Sequence, residues 1–473
     1  MDTLVGRKRE RAMLQRIMES GSPEFLAVYG RRRVGKTFLI KSFFQEKFTF
    51  YFSGVENSSK KTQLENFKMA FQNYFKQSVP TPENWTLAFA MLRDALNRSR
   101  KRGRKVIFID EMPWLATNGS GFIQAFEYWW NTYASTVSDI LLIICGSSTS
   151  WMLNKIIRSR GGLHNRVTRQ ILLEPFTLAE CEEYANSRKL SLSRKHIADY
   201  YMIIGGVPYY WQQLDKAYGL PQNIDNMFFK KNAVLRDEFA KIFNSLFKQS
   251  EKYVAIVKTL IKRQSGFTRG EIVKNANLSD GGSVTRMLEE LEQCGFIRSY
   301  SAFGKSRKEK IHQLVDFFSL FHLHFIQNKP VTDARFWTNN LNSPACNAWN
   351  GYSFEQLCLL HTEQIRRKLG IGGVTTYTFS WRSRDREQGG AQIDLVIDRD
   401  DQIINLCEIK YSNNEYVITK EYDLTLRRRR GLFIEETKTR KTVHDTLITT
   451  YGVKHNEYRD NIQSEVVLDD LFI

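Results

Sequence analysis

Three uninterrupted apolar runs in the first third of the chain predict buried β-strands. They are Phe25–Tyr29, Val106–Ile109 and Ile140–Cys145. Apolar runs without polar alternation are typical of parallel strands that are covered on both faces. Each run is followed by glycines or carboxylates, and parallel sheets bind their ligands beyond the carboxyl ends of the strands. The pattern therefore predicts an α/β domain with a site along one edge of the sheet.

Helical and alternating patterns follow these runs. Residues 177–240 are helical in pattern, and between 245 and 315 apolar residues at helical spacing predict three short helices. Four later strands are predicted, the first two as a hairpin: Phe296–Tyr300, Lys310–Leu314, Gln392–Ile397 and Ile403–Lys410. Three short helices and a hairpin are typical of a winged helix, with the basic segment Gly304–Lys308 as the tip of the wing.

The net charge indicates the kind of partner. The chain has 473 residues, which is enough for roughly two to four domains. Its 69 Lys and Arg against 51 Asp and Glu give a net charge of +18. Such a surplus favours a polyanion, a nucleic acid first and an anionic membrane second, and a solvated basic surface is the alternative. Since the longest apolar run is far too short to span a bilayer, we expect a nucleic acid, DNA in first place, and no membrane.

The cysteines indicate the compartment. Six are scattered along the chain without a C-x-x-C pair, which is typical of reduced thiols and is not the pattern of a zinc site or a disulfide framework. The first residues lack the charged-then-apolar order of a signal peptide. We therefore expect a cytoplasmic protein.

The strongest chemical signal follows the first apolar run. The pattern G-x-x-x-x-G-K-T lies between a predicted strand and a predicted helix and is typical of a phosphate-binding loop. Its glycines let consecutive N–H groups curl around phosphate oxygens, its lysine reaches the β- and γ-phosphates, and its threonine hydroxyl is placed to hold Mg²⁺. We therefore expect ATP and Mg²⁺ to be bound by Gly30, Arg31, Arg32, Arg33, Val34, Gly35, Lys36 and Thr37.

Two carboxylates end the second apolar run. We expect Asp110 to hold the Mg²⁺ shell and Glu111 to orient or deprotonate the attacking water, which is the general-base role in ATP hydrolysis. The third run ends before two serines, either of which can act as a polar sensor of the γ-phosphate. By spacing, Ser147 and Ser148 are equally good candidates, and Ser147 is taken as the catalytic one.

With these residues in view, the first half of the chain resembles the archaeal-type ATPases, a P-loop family related to AAA+ and STAND NTPases. Leu4–Arg7 resembles the short box that lies against the adenine in such proteins. The resemblance implies a helical lid after the core, in which Pro208, in a glycine–proline turn, borders the nucleotide base. It also makes Arg166 a candidate arginine finger, a role that is exerted between subunits only in a homo-oligomer. The arginines inside the phosphate loop fit the habit of the family.

A second chemical pattern lies in the last third of the chain. Asp394 is on one predicted strand, and Glu408 and Lys410 share a face of the next. Two carboxylates on neighbouring strands can bind a divalent metal, and a lysine beside them can position a water or stabilise charge. The spacing D-x₁₃-E-x-K resembles the PD-(D/E)xK nuclease fold, although no proline precedes Asp394.

The nuclease resemblance implies particular site residues. Glu355, in a predicted helix, matches the optional glutamate of that family, so the implied metal ligands are Glu355, Asp394 and Glu408, with Lys410 as a catalytic residue. The same arrangement resembles the C-terminal domain commonly fused to archaeal-type ATPases. A degenerate nuclease fold that only binds partners would carry the same residues.

Two further stretches are candidate nucleic-acid contacts. On the third helix of the predicted winged helix, Thr285 and Arg286 suit the major groove. Three acidic residues on that helix do not suit it: Glu289, Glu290 and Glu292. A packing module attached to the ATPase is therefore the alternative. The run Arg427–Arg430 suits backbone phosphates, and a solvated basic helix face explains it nearly as well.

These patterns predict an α/β protein with a P-loop NTPase parallel sheet, a helical lid, a winged helix and a C-terminal α/β restriction-endonuclease-like domain. The predicted stretches are a P-loop ATPase core at 1–175, a helical lid at 176–245, a winged helix at 246–315, a connector at 316–350 and a PD-(D/E)xK nuclease-like domain at 351–473. We expect residues 339–350 to be irregular.

Two functions fit this organisation. In the first, the protein binds and hydrolyses ATP, engages DNA, and carries a metal-dependent nuclease-like domain gated by nucleotide state. In the second, it is a STAND-like signalling or scaffold switch that binds ATP, and its C-terminal domain binds partners without cutting. A metabolic enzyme is a distant third, because no small-molecule site beyond the one for ATP is visible in the sequence.

Overall fold

The computed structural model describes residues 4–99, 103–159, 161–304, 310–327, 333–383 and 390–473. The chain divides into two compact units, Met1–Pro175 and Phe176–Ile473. Residues 305–308 of the predicted wing lie outside the described residues, as does the centre of a basic run at 98–105.

The first unit is built on a five-stranded parallel sheet. Its strand order is β2-β3-β4-β1-β5, and every neighbouring pair is parallel. The elements of the unit are α1 (Lys8–Glu19), β1 (Glu24–Tyr29), α2 (Lys36–Phe43), β2 (Phe50–Ser53), α3 (Lys60–Phe75), α4 (Trp85–Arg98), β3 (Lys105–Asp110), α5 (Phe122–Thr132), β4 (Ile140–Gly146), α6 (Thr149–Trp151) and β5 (Arg169–Leu172). The confirmed part of the fold prediction is this α/β arrangement with a parallel sheet.

Apolar cores cover both faces of this sheet, which explains the uninterrupted apolar runs. Strands β1 and β4 are buried along their whole lengths. On β1, Phe25 and Ala27 belong to one core, and Leu26 and Val28 belong to the core on the other face. Because β4 lies between β1 and β3, the residues that follow β4 lie between the loop after β1 and the carboxylates at the end of β3.

The second unit begins with a group of helices. These are α7 (Leu178–Ser187), α8 (Arg194–Ile204), α9 (Pro208–Trp211), α10 (Leu220–Ile224) and α11 (Glu238–Leu246). Helix α7 starts with a capping box, in which the Thr177 side chain accepts from the Glu180 N–H and the Glu180 side chain accepts from the Thr177 N–H. Such reciprocal bonds satisfy two N–H groups that the first turn of a helix leaves without partners.

Three helices and a small antiparallel sheet follow. Their elements are α12 (Ser250–Leu260), β6 (Phe267–Thr268), α13 (Arg269–Asn275), α14 (Gly282–Gln293), β7 (Ile297–Tyr300) and β8 (Ile311–Leu314). The sheet order is β6-β8-β7. Thr268 and Glu271 form the capping box that opens α13. The two hairpin strands are those expected from the alternating pattern, whereas β6 has no comparable signal in the sequence.

The last part of the chain contains a separate five-stranded mixed sheet. Its order is β13-β12-β11-β10-β9. Strand β10 is antiparallel to both β9 and β11, whereas β12 is parallel to both β11 and β13. The elements are α15 (Phe317–Phe321), α16 (Phe336–Asn339), α17 (Pro344–Leu360), α18 (Thr362–Lys368), β9 (Thr376–Arg382), β10 (Gln392–Arg399), β11 (Ile403–Lys410), α19 (Lys420–Thr437), β12 (Thr442–Thr449) and β13 (Ser464–Val467).

Helix α17 starts inside the stretch that we expected to be irregular. Ser343 caps it by accepting a hydrogen bond from the Cys346 N–H, and Pro344 occupies its first turn. Both residues are ordinary helix-start signals. The expectation of an irregular segment was therefore wrong for residues 344–350.

One hydrophobic core runs through the second unit. It includes Phe176 and Tyr201 from the first helices, Leu288 from α14, and Phe354 and Phe472 from the last part of the chain. The predicted lid segment therefore packs as one body with the rest of residues 176–473. Within the described residues, none of the helices has the length and apolar character needed to cross a membrane.

Candidate functional sites

The phosphate loop has the backbone shape that its glycines allow. Gly30 has a φ of 143°, and a Cβ there would lie 2.3 Å from the Leu173 carbonyl oxygen. Gly35 has a φ of 91° and starts α2. Positive φ angles of this kind are readily adopted only by glycine. The loop therefore follows β1 closely and turns directly into a helix whose first N–H groups face the loop.

Lys36 is held inside this loop. It is 5% exposed, and its Nζ donates to the carbonyl oxygens of Gly30 and Arg31, each at 2.9 Å. Arg31 is also buried. Arg33 takes a left-handed φ of 75°. The ammonium group is thus positioned by the curve of the loop itself, from which it can reach phosphate oxygens.

Thr37 and Asp110 provide two oxygen atoms beside the loop. The Thr37 hydroxyl donates to Asp110 Oδ2 at 2.8 Å, and Asp110 is 3% exposed. Two neighbouring ligands of an octahedral Mg²⁺ lie about 3 Å apart, since each is about 2.1 Å from the metal. The spacing of the two oxygens and their hard character therefore fit Mg²⁺.

Burial raises the pKa of Asp110, while the hydrogen bond from Thr37 lowers it and the neighbouring Glu111 raises it; the net shift is upward. A bound cation would stabilise the carboxylate form and oppose this shift. The electrostatics of Asp110 are therefore consistent with a cation ligand.

Glu111 and Ser147 are joined directly. Both the Ser147 hydroxyl, at 2.9 Å, and the Ser147 N–H, at 3.2 Å, donate to Glu111 Oε2. Ser148 is half-buried and precedes α6 without a side-chain capping bond. Glu111 has a left-handed φ of 46°, which is unusual for a residue with a side chain and is frequent at functional sites. The sequence spacing made the two serines equivalent candidates, whereas in the structure Ser147 is the one that contacts Glu111.

Two residues contribute to this site without having been predicted in that role. The Arg7 side chain donates to the Val34 carbonyl of the loop at 3.3 Å and is 4% exposed. A Cβ at Gly54 would lie 2.6 Å from the Glu111 carbonyl oxygen, so glycine lets the end of β2 approach the carboxylates. The N-terminal box signalled Arg7 only as a neighbour of adenine, and a lone glycine after an aromatic strand carries no sequence signal.

Comparison with known proteins identifies this region. Residues 4–214 match a family described as an ATPase domain predominantly from Archaea. This part of the chain is therefore similar to archaeal-type ATPase domains, and it is called the ATPase domain below. This domain extends past the end of the first unit into α7, α8 and α9, so its last 39 or so residues belong to the second unit.

Individual relatives are more distant. An uncharacterized protein of Methanocaldococcus jannaschii is 25% identical over 328 residues, which are 68% of each chain. A Walker-type ATPase of Pyrococcus abyssi is similar with a TM-score of 0.49 and 16% identity, over 68% of this chain and 96% of that one. The ORC2 protein of Aeropyrum pernix, solved as ADPNP–ADP complexes, gives a TM-score of 0.43 and 12% identity, over 71% of this chain and 96% of that one.

Two further residues were assigned a role by resemblance alone. Arg166 is exposed, in the turn before β5. Pro208 is the first residue of α9 in the second unit. It follows Gly206, where a Cβ would lie 1.9 Å from the Phe176 carbonyl oxygen. The roles of Arg166 and Pro208 stay predictions.

Beyond the ATPase domain, the structure brings the four predicted nuclease-type residues together. Glu355 lies on α17, Asp394 on β10, and Glu408 and Lys410 on β11. Leu395 pairs with Cys407, and continuing that antiparallel register by one residue places Asp394 opposite Glu408. The pairing of β10 with β9 shifts between Ile393 and Val396, and such a bulge re-aims the side chains beside it.

The acidic groups of this cluster and Lys410 act on the pKa of Glu355. Burial, together with the neighbouring Asp394 and Glu408 and against the opposing effect of Lys410, raises the pKa of Glu355 to about 8. A carboxyl group with this pKa is largely protonated at neutral pH. Strongly shifted carboxyl groups are frequent at functional sites and also occur in structural networks.

Glu408 is fully engaged by its neighbours. Lys410 Nζ lies 2.9 Å from Oε1 and Arg429 donates to Oε2 at 2.7 Å, while the Tyr422 hydroxyl donates to Oε1. Burial raises the pKa of Glu408, but Lys410 and Arg429 outweigh it, and the net pKa is lowered. Both carboxylate oxygens therefore already have cationic or hydroxyl partners.

In this arrangement, cationic and hydroxyl partners occupy the oxygens that the predicted metal site would use on Glu408. In the described parts of the chain, no group of three or more His, Cys, Asp or Glu side chains is placed to hold one. A metal at Glu408 would compete with Arg429, Lys410 and Tyr422 for the same two oxygens. The carboxylates thus share one place in the fold, and their present contacts are those of an ion-pair network.

The arginine run on α19 takes part in such pairs. Arg427 pairs with Asp423 at 2.8 Å, Arg429 with Glu408, and Arg430 with Asp445 at 2.8 Å. Three of its four arginines therefore neutralise carboxylates of the same unit. Contact of Arg427–Arg430 with backbone phosphates stays a prediction.

Proposed function

We propose that this protein is an ATP-binding and ATP-hydrolysing switch that engages DNA through its second unit, where a nuclease-like domain responds to nucleotide state. The observation that carries the ATPase part is the pair of contacts at the edge of the parallel sheet, Thr37 to Asp110 and Ser147 to Glu111. The first pair supplies oxygen ligands for Mg²⁺. The second holds a carboxylate ready to orient the attacking water.

The DNA part rests on charge and on the second unit. The chain carries a net charge of +18, which favours a polyanionic partner. The order of α12, α13, α14 and the β6-β8-β7 sheet supports a winged helix. The mixed sheet with Glu355, Asp394, Glu408 and Lys410 at one place supports a PD-(D/E)xK-like fold. We therefore place DNA engagement in residues 246–473, with a homo-oligomer as the form in which Arg166 would act.

A second candidate function is favoured by the contacts of Glu408. Because Arg429, Lys410 and Tyr422 occupy both of its oxygens, the nuclease-like domain can serve as a binding module that does not cleave. The protein would then be a STAND-like signalling or scaffold switch. Both candidates share the ATPase site and differ only in what the second unit does.

One experiment separates the two candidates. The full chain is incubated with supercoiled and linear DNA in Mg²⁺ or Mn²⁺, with and without ATP, beside an Asp394→Ala/Glu408→Ala double variant. Cleavage by the wild type that disappears in the double variant establishes the nuclease. Absence of cleavage under every condition, with ATP still hydrolysed, selects the non-cleaving switch. Cleavage that persists in the double variant contradicts the assignment of these carboxylates.

A further inference from the structure

A cavity of about 230 Å³ joins the small antiparallel sheet to the carboxylates of the mixed sheet. One wall is formed by Arg298 and Tyr300 of β7 together with Gln313 of β8. The opposite wall contains Glu355, Asp394 and Arg382. The cavity is therefore built by two parts of the second unit that the sequence assigned to different domains.

The walls of this cavity are fixed to each other. Ala302 pairs with Ser380 of β9, and the Phe303 N–H donates to the Ser380 carbonyl oxygen at 2.8 Å. The Phe303 ring lies 5.4 Å from Phe379 and 5.2 Å from Phe433, centroid to centroid. The chain leaving β7 thus continues along the edge of the mixed sheet, so the cavity is a preformed feature of the second unit.

Arg298 presents unused donors to this cavity. Its Nε donates to Gln313 Oε1 at 2.7 Å, and its guanidinium lies over the Tyr300 ring, 5.0 Å from the centroid. These contacts orient the group but leave its terminal amines without a hydrogen-bond acceptor in the described part of the chain. Burial lowers the pKa of Arg298, and Tyr300, Tyr352 and Asp394 only partly oppose this. A desolvated cation without an ion pair is costly, and an anionic ligand removes that cost.

The other arginines of the cavity differ in their pairing. Arg263 is paired with Glu271 at 2.6 Å, so its charge is already neutralised. Arg382 donates to the uncharged Gln392 side chain and has no ion pair within the described residues. Two arginines, one on each wall, are therefore available for an anion, and the fork of a guanidinium matches two oxygens of a phosphate.

We propose that this cavity holds a phosphodiester group of a nucleic-acid strand, with Arg298 and Arg382 as its contacts, so that the winged-helix-like module supplies part of the carboxylate site. This inference rests on the proposed DNA engagement. It differs from groove binding by α14, because it assigns recognition to the sheet side of the module. The cavity is too small for a duplex, and a single backbone segment at a strand end or in an opened duplex fits it. The chain's positive charge favours a nucleic acid over other phosphate-bearing ligands.

The test measures binding of a short fluorescein-labelled DNA strand to the full chain across a salt series. Arg298→Gln is expected to weaken binding about tenfold and to make the salt dependence less steep by about one phosphate contact. Arg298→Lys keeps the positive charge but loses the two parallel N–H donors of the guanidinium. Compared with Arg298→Gln, it should therefore restore the salt dependence of binding more than the affinity. Arg382→Gln, at an exposed position, should weaken binding several-fold without perturbing the core.

The matched control is Arg367→Gln, which removes an exposed arginine paired with Glu363 on α18 and should bind DNA as the wild type does. Thermal melting of each variant shows whether it folds. Wild-type affinity and salt slope in both folded Arg298→Gln and Arg382→Gln would overturn the assignment of the cavity and leave DNA engagement standing. Failure of the wild type to bind DNA at all would overturn both.

Discussion

Each carboxylate of the ATPase site has a partner that determines what it can do. Glu111 accepts two bonds from Ser147 while its backbone takes a left-handed conformation, which costs a residue with a side chain about 1–2 kcal/mol. Asp110 accepts from Thr37 and from the Glu111 N–H. Under the proposed function, Glu111 would orient the attacking water and Asp110 would hold the cation, so these neighbouring residues would have different roles.

Replacement of these groups should separate binding from hydrolysis. Glu111→Gln removes the base but keeps a side chain of the same size, so ATP binding should persist while hydrolysis falls by roughly a hundredfold or more. Ser147→Ala should lower hydrolysis by about tenfold, because the carboxylate loses one of its two orienting bonds. Steady-state phosphate release and nucleotide titration measure the two quantities.

Ser148→Ala serves as the control for Ser147, since Ser148 makes no side-chain bond to Glu111. It should hydrolyse ATP at close to the wild-type rate. Equal losses in the two serine variants would contradict the assignment of Ser147.

His361 gives the second unit a pH-dependent stability. It is 3% exposed and its Nδ1–H donates to the Leu357 carbonyl oxygen at 2.8 Å. Burial lowers its pKa from 6.5 to about 4, opposed only by that bond. Because the unfolded chain takes up a proton below pH 6.5 and the folded chain does not, stability falls as the pH drops from 6.5 to 4, by about 3 kcal/mol in all.

Thermal melting at a series of pH values tests this effect. His361→Gln should lose part of the fall in melting temperature seen in the wild type between neutral pH and about pH 5, since glutamine does not titrate. If the variant and the wild type lose stability in parallel over this range, the effect does not come from His361.

At the scale of elements, the sequence predicts best where a pattern is long or chemically specific. The apolar runs of β1, β3 and β4, the alternation in β10 and β11, and the loop before α2 all lie where they were expected. The short strands β6 and β13 have two and four residues, and their pairing depends on distant partners. The insertion of β4 between β1 and β3 is likewise invisible in the sequence, and it is what places Ser147 beside Glu111.

In the candidate sites, too, the residues that belong to a specific motif are the ones that the sequence predicts. The loop residues and the four nuclease-type residues are recognisable from spacing, whereas Arg429 and Tyr422, which engage Glu408, lie on the next helix and carry no motif. Arg298 likewise belongs to no sequence motif, because its importance comes from the cavity that it shares with Asp394. Spacing identifies which residues belong to a site but does not give their partners.

Helix α8 is tied to the end of the strand that carries Glu408 and Lys410. Lys195 Nζ lies 2.7 Å from Asp199 Oδ2, the Tyr411 hydroxyl donates to Asp199 Oδ1 at 2.9 Å, and Lys195 also donates to the Tyr411 hydroxyl. Burial raises the pKa of Tyr411, and Asp199 adds to the shift. A helix of the ATPase domain is thereby fixed directly to the strand of the carboxylate site.

Breaking this connection should destabilise the second unit. Asp199→Ala leaves Lys195 and Tyr411 with lost partners and should cost about 1–3 kcal/mol. Glu363→Ala, which breaks the exposed pair with Arg367, should cost less than about 1 kcal/mol and is the control. Hydrogen exchange of peptides covering α8 and β11 should increase in both elements in Asp199→Ala. An increase confined to α8 would show that the two are not joined through Asp199.

At the scale of the molecule, the chain consists of a nucleotide-binding sheet and a second unit with a continuous core. Because the ATPase domain ends within that second unit, any change that nucleotide produces in α7, α8 or α9 is made in the same body that carries the carboxylate site. Packed cores move as bodies. Under the proposed function, a nucleotide-dependent change in these helices would act on the part of the chain that we propose to engage DNA.

The measurement that tests this account most directly is the affinity of the full chain for DNA in the presence of ATP, of ADP and of no nucleotide. It is made with wild type, with the hydrolysis-deficient Glu111→Gln and with Lys36→Ala, in which nucleotide binding should be lost. We predict that the DNA affinity of the wild type differs between ATP and ADP. In Glu111→Gln the same difference should last, because the bound ATP is not hydrolysed. In Lys36→Ala the DNA affinity should not respond to nucleotide. The same DNA affinity in all three nucleotide states of the wild type would contradict the account.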